Sequence, residues 1–452
     1  MMRKTLIVVY ADGAAHPGDI AVGLADWARC VFVTAPDDHT RAMEPLLAGF
    51  GPVVTAESPA QAAAKVRTYE PEGVVTYSER ALAYTGELAE ALGLPFHDRR
   101  TVGLLTDKWQ QRDALRAAGV DAVRCRRIDA VEDWADAVAE TGLPAVLKPA
   151  HGGGSRNTFF VEDAAAGLAL ARTLLAEDRP GLVAGGTLVL EEYLPGRDTG
   201  AFGDYVSVES VVREGTVVDI AVTGKFPMVP PFRETGRFWP SPLEPAEEEQ
   251  ARDLARRSVE ALGIRTGLTH TEIKLTPDGP RLIEVNGRLG GGINELSVRS
   301  QGLDLIELAG RTALGEHPPL PDLYAGRACF QLFHPAPRRP GTLLGIEGTD
   351  EVKRIPGVTL HRPYARPGTR FPGGVQTLEL DIVMGEARDL SELAVLAKDI
   401  ESTLRYRFAF EGDDDTPDAD HTPNADHTPD ADGTPDIRPT TTEVTGAELG
   451  AL

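Results

Sequence analysis

Hydrophobic and polar positions set three rhythms along this chain. Near the start, residues 6–10, 30–33 and 73–76 are short β-branched runs, as expected of buried parallel strands. Residues 21–28 and 79–92 between them carry helical spacing, so residues 5–100 read as a small α/β unit. Further on, alternation with a period of two takes over. Residues 205–212 and 217–222 read as a hairpin across Arg213-Glu214-Gly215, and a helix is expected over 245–262. The clearest alternation lies at 268–286. His270, Glu272 and Lys274 alternate with Thr271, Ile273 and Leu275; then Leu282, Glu284 and Asn286 alternate with Ile283 and Val285. Between the two runs stands Thr276-Pro277-Asp278-Gly279-Pro280, with turn chemistry. Helices at 293–302 and 303–314 follow. Strands near 328–333 and 375–383 and a last helix over 390–406 then suggest a smaller α+β extension, which completes a domain or builds a homodimer face.

A three-residue loop, Pro277-Asp278-Gly279, would put Gly279 at the left-handed position. That register pairs Glu272 with Glu284 and His270 with Asn286. Two facing carboxylates resist joint ionisation. A hard divalent cation removes the conflict, and Mg²⁺ takes one or two carboxylates together with phosphate oxygens. Asn286 adds a neutral oxygen, and Arg288 a charge for a phosphate or carboxylate. The plainer alternative is an exposed hairpin with solvated charges.

Upstream, Thr106-Asp107-Lys108 opens a helix to about residue 118, capped by Thr106 or Asp107. Lys108 in the first turn opposes the helix dipole, which is better explained if it reaches an anion. The strand 143–148 ends in Lys148 and runs into His151-Gly152-Gly153-Gly154-Ser155, with a return strand at 159–161. Glycines let backbone N–H groups approach phosphate closely, and Lys148 adds charge. A flexible hairpin tip is the competing reading. Residues 187–194 form an apolar strand ending in Glu191, Glu192, Tyr193 and Leu194. Glu209 sits inside an apolar strand, and a buried acid must be paired or neutralised, which makes it a site candidate. The Pro-rich aromatic segment 223–236 is either a substrate-contacting loop or an irregular surface loop.

Taken together, Thr-His-Thr-Glu-Ile-Lys-Leu-Thr-Pro-Asp-Gly (269–279) and Glu-Val-Asn-Gly-Arg-Leu-Gly-Gly-Gly (284–292) resemble the metal-binding end of the ATP-grasp superfamily, in its L-amino-acid (dipeptide) ligase branch. The resemblance spans roughly residues 107–292. It implies a three-part fold: an N-terminal α/β (Rossmann-like) domain (1–104), an α+β lid (105–190) and a C-terminal α+β half (191–320), followed here by the extension (321–410). It also implies an ATP-dependent carboxylate–amine ligase acting through an acyl phosphate, with ATP and Mg²⁺ as cofactors and Mn²⁺ able to substitute. Lys108, Lys148, Gly152, Gly153, Gly154 and Ser155 would hold phosphates, and Glu191, Glu192, Tyr193 and Leu194 the adenine and ribose. Glu272, Glu284 and Asn286 would hold the metal. Arg288, assisted by Lys274, would stabilise the reacting centre, and Glu209, His270, Arg288 and Gly291 are candidates for substrate contact. The partners would be small carboxylates and amines, amino acids foremost. A carboxylase or purine-pathway ligase of the same superfamily, or a silent ATP-binding module, are the rivals.

Composition narrows the picture further. Net charge is −23, and the last 42 residues account for −11 of it with twelve acids and one arginine. The remainder is only moderately acidic, which argues against a nucleic-acid face. Cys30, Cys125 and Cys329 are far apart, which fits a reducing cytoplasm and excludes a Cys-x-x-Cys site. No apolar run reaches membrane-spanning length, so no membrane partner is expected. From Glu411 a Thr-Pro-Asp/Asn-Ala-Asp unit recurs, too polar to bury a core, and 411–452 is expected to be a disordered acidic tail. Truncation after Glu411 should therefore keep ATP-coupled turnover. Loss of turnover in a truncated protein with an unchanged circular dichroism spectrum would refute this.

Overall fold

The computed structural model describes residues 3–176, 178, 185–321, 323, 326–410 and 420–421. Most of the acidic tail thus lies outside the described residues. Within it, Asp420–His421 pairs antiparallel with Arg405–Phe410, which departs from the expectation of disorder at those two positions.

The β-branched runs near the N-terminus form a parallel sheet. Its order is Val53–Thr55, Ala28–Thr34, Lys4–Val9 and Gly73–Thr76. The first helix is Pro17–Leu24, earlier than the expected 21–28, because Pro17 is preset for an N-terminal turn and Ala28 already belongs to the next strand. The strand Val53–Thr55 was not anticipated; three residues give too short a pattern to read. Ile7, Val9, Val31, Val33 and Val74 fill one face of this sheet, and Leu6, Val8 and Phe32 the other.

The lid is a four-stranded antiparallel sheet: Cys125–Ile128, Leu188–Glu192, Ala145–Pro149 and Phe159–Val161. Trp134–Thr141 and Ala164–Ala176 cover it, with Trp134, Leu147, Leu170, Leu174 and Leu190 in its core.

The largest element is an eight-stranded antiparallel sheet. It runs Gly279–Asn286, Gly267–Thr276, Tyr205–Arg213, Thr216–Lys225, Gly236–Trp239, Ala328–Pro335, Glu379–Ala387 and Val358–Pro363. The strand Gly236–Trp239 begins at the last residue of the segment 223–236 read as a loop, and the first three residues of that segment belong to the strand Thr216–Lys225. Gly236–Trp239 is what joins the hairpin half of the sheet to the strands of 328–387. The expected last helix ends at Thr403, and Tyr406 lies in the strand Arg405–Phe410 of a second, small sheet. Tyr406 ties the two sheets together. Its hydroxyl donates to Asp381 Oδ2 at 2.6 Å, and His334 Nδ1 and His361 Nε2 each lie 2.7 Å from the same carboxylate. Burial opposes ionisation of Asp381, but His334, His361 and Tyr406 outweigh it and hold the carboxyl well below its usual range.

Cys30, Cys125 and Cys329 are buried free thiols. Among the described residues no helix is long and apolar enough to cross a membrane.

One buried group joins the N-terminal unit to the large sheet. His97 is 7% exposed and packs beside Gly267 and Gly287. Burial pushes its imidazole down to about 4, against a smaller opposing hydrogen bond at Gly287. The unfolded chain therefore binds a proton below pH 6.5 that the folded chain refuses, and stability falls as pH drops from about 6.5 toward 4. At pH 5 the loss should be on the order of 2 kcal/mol relative to pH 7.5. Urea unfolding of wild type and His97→Leu at both pH values checks this. Equal pH dependence in the two proteins would refute it.

Candidate active site

The hairpin at 267–286 pairs Glu272 with Glu284 and His270 with Asn286, as the alternation predicts. The route to that register differs. Thr276 pairs with Gly279, so the loop is Pro277-Asp278, and a bulge beside Ile273 restores the pairing at the carboxylates. Gly279 has φ of +110°, a conformation natural only to glycine.

Neither carboxylate stands bare. Glu284 Oε1 lies 3.0 Å from Lys108 Nζ, and Glu272 Oε1 lies 3.3 Å from His270 Nε2. Burial opposes ionisation of Glu272, but His270, Lys225 and Arg288 outweigh it and pull the carboxyl down to about 2. His270 Nδ1 in turn faces Glu209 Oε1 at 2.6 Å, and Glu209 raises the imidazole against its burial. Glu209 is 2% exposed, and its carboxylate is turned to His270, with which it pairs from the neighbouring strand. Asn286 Oδ1 accepts from Arg288 Nη2 at 3.1 Å.

Lys108 begins the helix Lys108–Ala117, capped by Asp107, whose carboxylate accepts from the Gln110 amide at 3.0 Å. Its ammonium bonds both Glu284 and the carbonyl of Gly152. One lysine thus links helix, glycine loop and hairpin. Lys148 ends the lid strand and lies 2.5 Å from Glu191 Oε2. Glu191 is also bound by Arg112, which donates to the carbonyls of Leu282 (2.7 Å) and Ile283 (2.6 Å) on the hairpin. The Glu191 side chain therefore positions Lys148 and anchors the lid strand. Glu192 Oε2 accepts from the amide and Nε of Arg124, both at 3.1 Å, and Tyr193 stacks edge-on against Phe160.

The loop 151–157 is exposed and bent. Gly152 and Gly154 have φ of +108° and +70°, and Ser155 and Asn157 also lie in the left-handed region. Backbone that alternates hand in this way can form a concavity of amides for an anion. Lys274 Nζ pairs with Asp204 Oδ2 at 2.7 Å. Gly291 lies beside Arg237.

Sequence reasoning missed several residues. Glu79 comes from the N-terminal unit and sits 3.2 Å from Arg288 Nη2. Burial raises its carboxyl, Glu284 and Glu272 raise it further, and Arg288 and Lys108 oppose them. A third carboxyl therefore stands near Glu284 and Glu272. It follows a parallel strand by only three residues, the place where α/β units collect ligand contacts, but nothing in its local sequence marks it. Asp204, Lys225 and Arg237 are the others. They stand in or beside strands whose alternation was legible only in part.

These residues suit a nucleotide with a hard cation. Among the described residues no three His, Cys, Asp or Glu side chains form a ready-made metal cage. Two carboxylates and an amide oxygen beside lysines fit a Mg²⁺ that completes its shell with phosphate oxygens.

The chain is similar to known proteins in sequence and in fold. A family model described as an ATP-grasp domain matches residues 141–295. Alanine–anticapsin ligase of Bacillus subtilis (strain 168) is 28% identical over 56% of this chain and 56% of its own length. D-alanine–D-alanine ligase of Aromatoleum aromaticum is 31% identical over 49% of this chain and 70% of its own. The L-amino acid ligase from Bacillus licheniformis has the same fold, with a TM-score of 0.71 at 21% identity over 89% of this chain and 98% of that one. The chain spans 34–61% of the length of the first curated relatives it matches. On the strength of the motif order, the shared fold and these matches, the chain belongs to the ATP-grasp family.

Proposed function

We propose that the protein is an ATP-dependent carboxylate–amine ligase that joins amino acids. The observation that carries this is the convergence of Lys108, Glu284 and the Gly152 carbonyl from three distant segments, beside Asn286, Arg288 and Glu272. A silent module has no need for all of these groups in one place. The names of the two ligase relatives support amino acids as the substrates.

In this reading the substrate carboxylate oxygen attacks the γ-phosphorus of ATP and ADP leaves. The amine then attacks the acyl carbon, phosphate leaves, and the amine loses a proton. Lys108 and Lys148 neutralise phosphate oxygens, and the glycine loop offers amides. Glu272, Glu284 and Asn286 would hold Mg²⁺, which supplies charge neutralisation and alignment at the γ-phosphoryl group. Arg288 stands beside Asn286 to stabilise the acyl phosphate and the oxyanion of amine attack. His270 and Glu209 keep Glu272 ionised and in place. Lys274, held by Asp204, assists by its charge.

Glu284→Gln should lower turnover by on the order of 10²-fold or more, measured as ADP release with amino-acid pairs and with bicarbonate as the alternative acceptor. The thermal shift induced by Mg-ATP should fall sharply with it. Melting without ATP should not rise, because the ion pair to Lys108 is lost along with the repulsion. Wild-type turnover and an undiminished ATP-induced shift would refute the assignment.

A further inference from the structure

The small second sheet has an edge that the large domains leave open. Its strands are Arg370–Phe371, Gly341–Glu347 and Arg405–Phe410. Among the described residues, Arg405–Phe410 pairs on one side with Gly341–Glu347 and on the other only with Asp420–His421. Tyr406 and Phe408 are buried in the core beneath, so the alternation puts Arg405, Arg407 and Ala409 on the outer face. Thr342 pairs with both Ala409 and Arg370, which sets Arg370 on that face too. The guanidinium carbon of Arg339 lies 4.7 Å from the Phe410 ring centroid, at the end of the same strand. The three strands carry one acid, Glu347, which pairs with Arg407. A basic face thus stands on a chain of net charge −23.

An open strand edge offers N–H and C=O groups to any extended segment. Those main-chain bonds give affinity, and side chains decide which segment is taken. Here the deciding side chains are arginines, and they favour an acidic strand. The chain contains one in repeat. Thr-Pro-Asp-Ala-Asp-His (416–421) is followed by Thr-Pro-Asn-Ala-Asp-His (422–427) and Thr-Pro-Asp-Ala-Asp-Gly (428–433). Asp418 and Asp420 stand two apart in sequence, as Arg405 and Arg407 do, and that spacing shares one face of an extended strand. The observed register sets Asp420 opposite Arg407. Opposite charges directly across an antiparallel pair stabilise it. Nine residues (411–419) separate Phe410 from Asp420. At full extension nine residues reach about 30 Å, ample for an antiparallel return.

We propose that the outer edge of Arg405–Phe410 is a docking strand for this chain's own acidic repeats, and that the three units are interchangeable occupants. Passing from the first unit to the second lengthens the closing loop from nine residues to fifteen (411–425). Closure entropy grows slowly with length, so that step costs only about two-fold in occupancy, and the step to the third unit about two-fold again. One unit can therefore replace another at little loss. The docked repeat closes the edge to other chains, a cover that edge strands commonly need. The docking strand belongs to neither the metal hairpin nor the lid, so the truncation that keeps turnover and the docking of the tail are compatible.

The test reads the backbone amides of Arg405–Phe410 by hydrogen exchange with mass detection. In the full chain, those on the docking edge should exchange at least about 10-fold more slowly than in the protein truncated after Glu411. A synthetic peptide of residues 412–433 should restore protection to the truncated protein, and less so at high salt. Arg405→Gln combined with Arg407→Gln should weaken that peptide about 5-fold. In the full chain, Asp420→Pro with His421→Pro should leave protection within about two-fold, because the second unit takes the place of the first. Proline pairs in all three units should abolish it. Equal exchange in the full and truncated chains would overturn the docking. Loss of protection on the first proline pair alone would overturn the interchange of units. A peptide with Asn at every Asp that protects equally well would remove the charge match. Protection that rises with protein concentration, together with a dimer in sedimentation, would give the edge to a second copy's tail and so refute docking within one chain. Turnover plays no part in these readouts, so the docking stands or falls apart from the ligase reading.

Discussion

Two carboxylates facing each other across a hairpin are a liability in any protein. Here Glu272 and Glu284 tolerate it by leaning apart onto different cations. Glu284 reaches out of the hairpin to Lys108, and Glu272 turns along its own strand to His270. The first bond draws in a helix start and the glycine loop. The second draws in Glu209 from the neighbouring strand. Much of the site geometry follows from that division, because each cation is fixed by a further group: the cap at Asp107 for Lys108, and a buried acid for His270.

The lid follows the same logic one layer out. Lys148 would be a costly buried ammonium without Glu191, and Glu191 would be a costly carboxylate without Arg112. Arg112 closes the circuit by bonding carbonyls of the hairpin strand. Lys108, at a helix start, and Lys148, at the end of a sheet strand, are thus both tied to the hairpin, so this cluster is held in shape by the protein's own contacts. Such preorganisation lowers what a ligand must supply in ordering free energy.

Much of this was legible in the residues. The alternation at 268–286 carried the carboxylate pairing, although the turn length was misjudged and a bulge made good the difference. Strand-lysine-glycine order carried the lid. What stayed hidden was long-range. Glu79 lies 209 positions from its arginine, and no local pattern records that meeting. The strand Gly236–Trp239 was hidden by the prolines on either side of it and by its own aromatics, which read as loop. With it went Arg237, and the recognition that Lys225 ends a strand beside it. The facing carboxylates also looked more strained in sequence than they are, because Lys108 is 176 residues from Glu284 and alternation cannot reveal a cation from elsewhere.

The strand Gly236–Trp239 has a further consequence for how the chain can be divided. It carries hydrogen bonds on both sides, to Thr216–Lys225 and to Ala328–Pro335. A fragment ending at the last helix of the nucleotide-binding half would leave one whole side of it as bare N–H and C=O groups, flanked by Phe238 and Trp239. An open edge of that kind recruits other chains. The smaller α+β part is therefore a cover for the sheet as much as an appendage, and a natural excision point for this protein lies after the strand Arg405–Phe410.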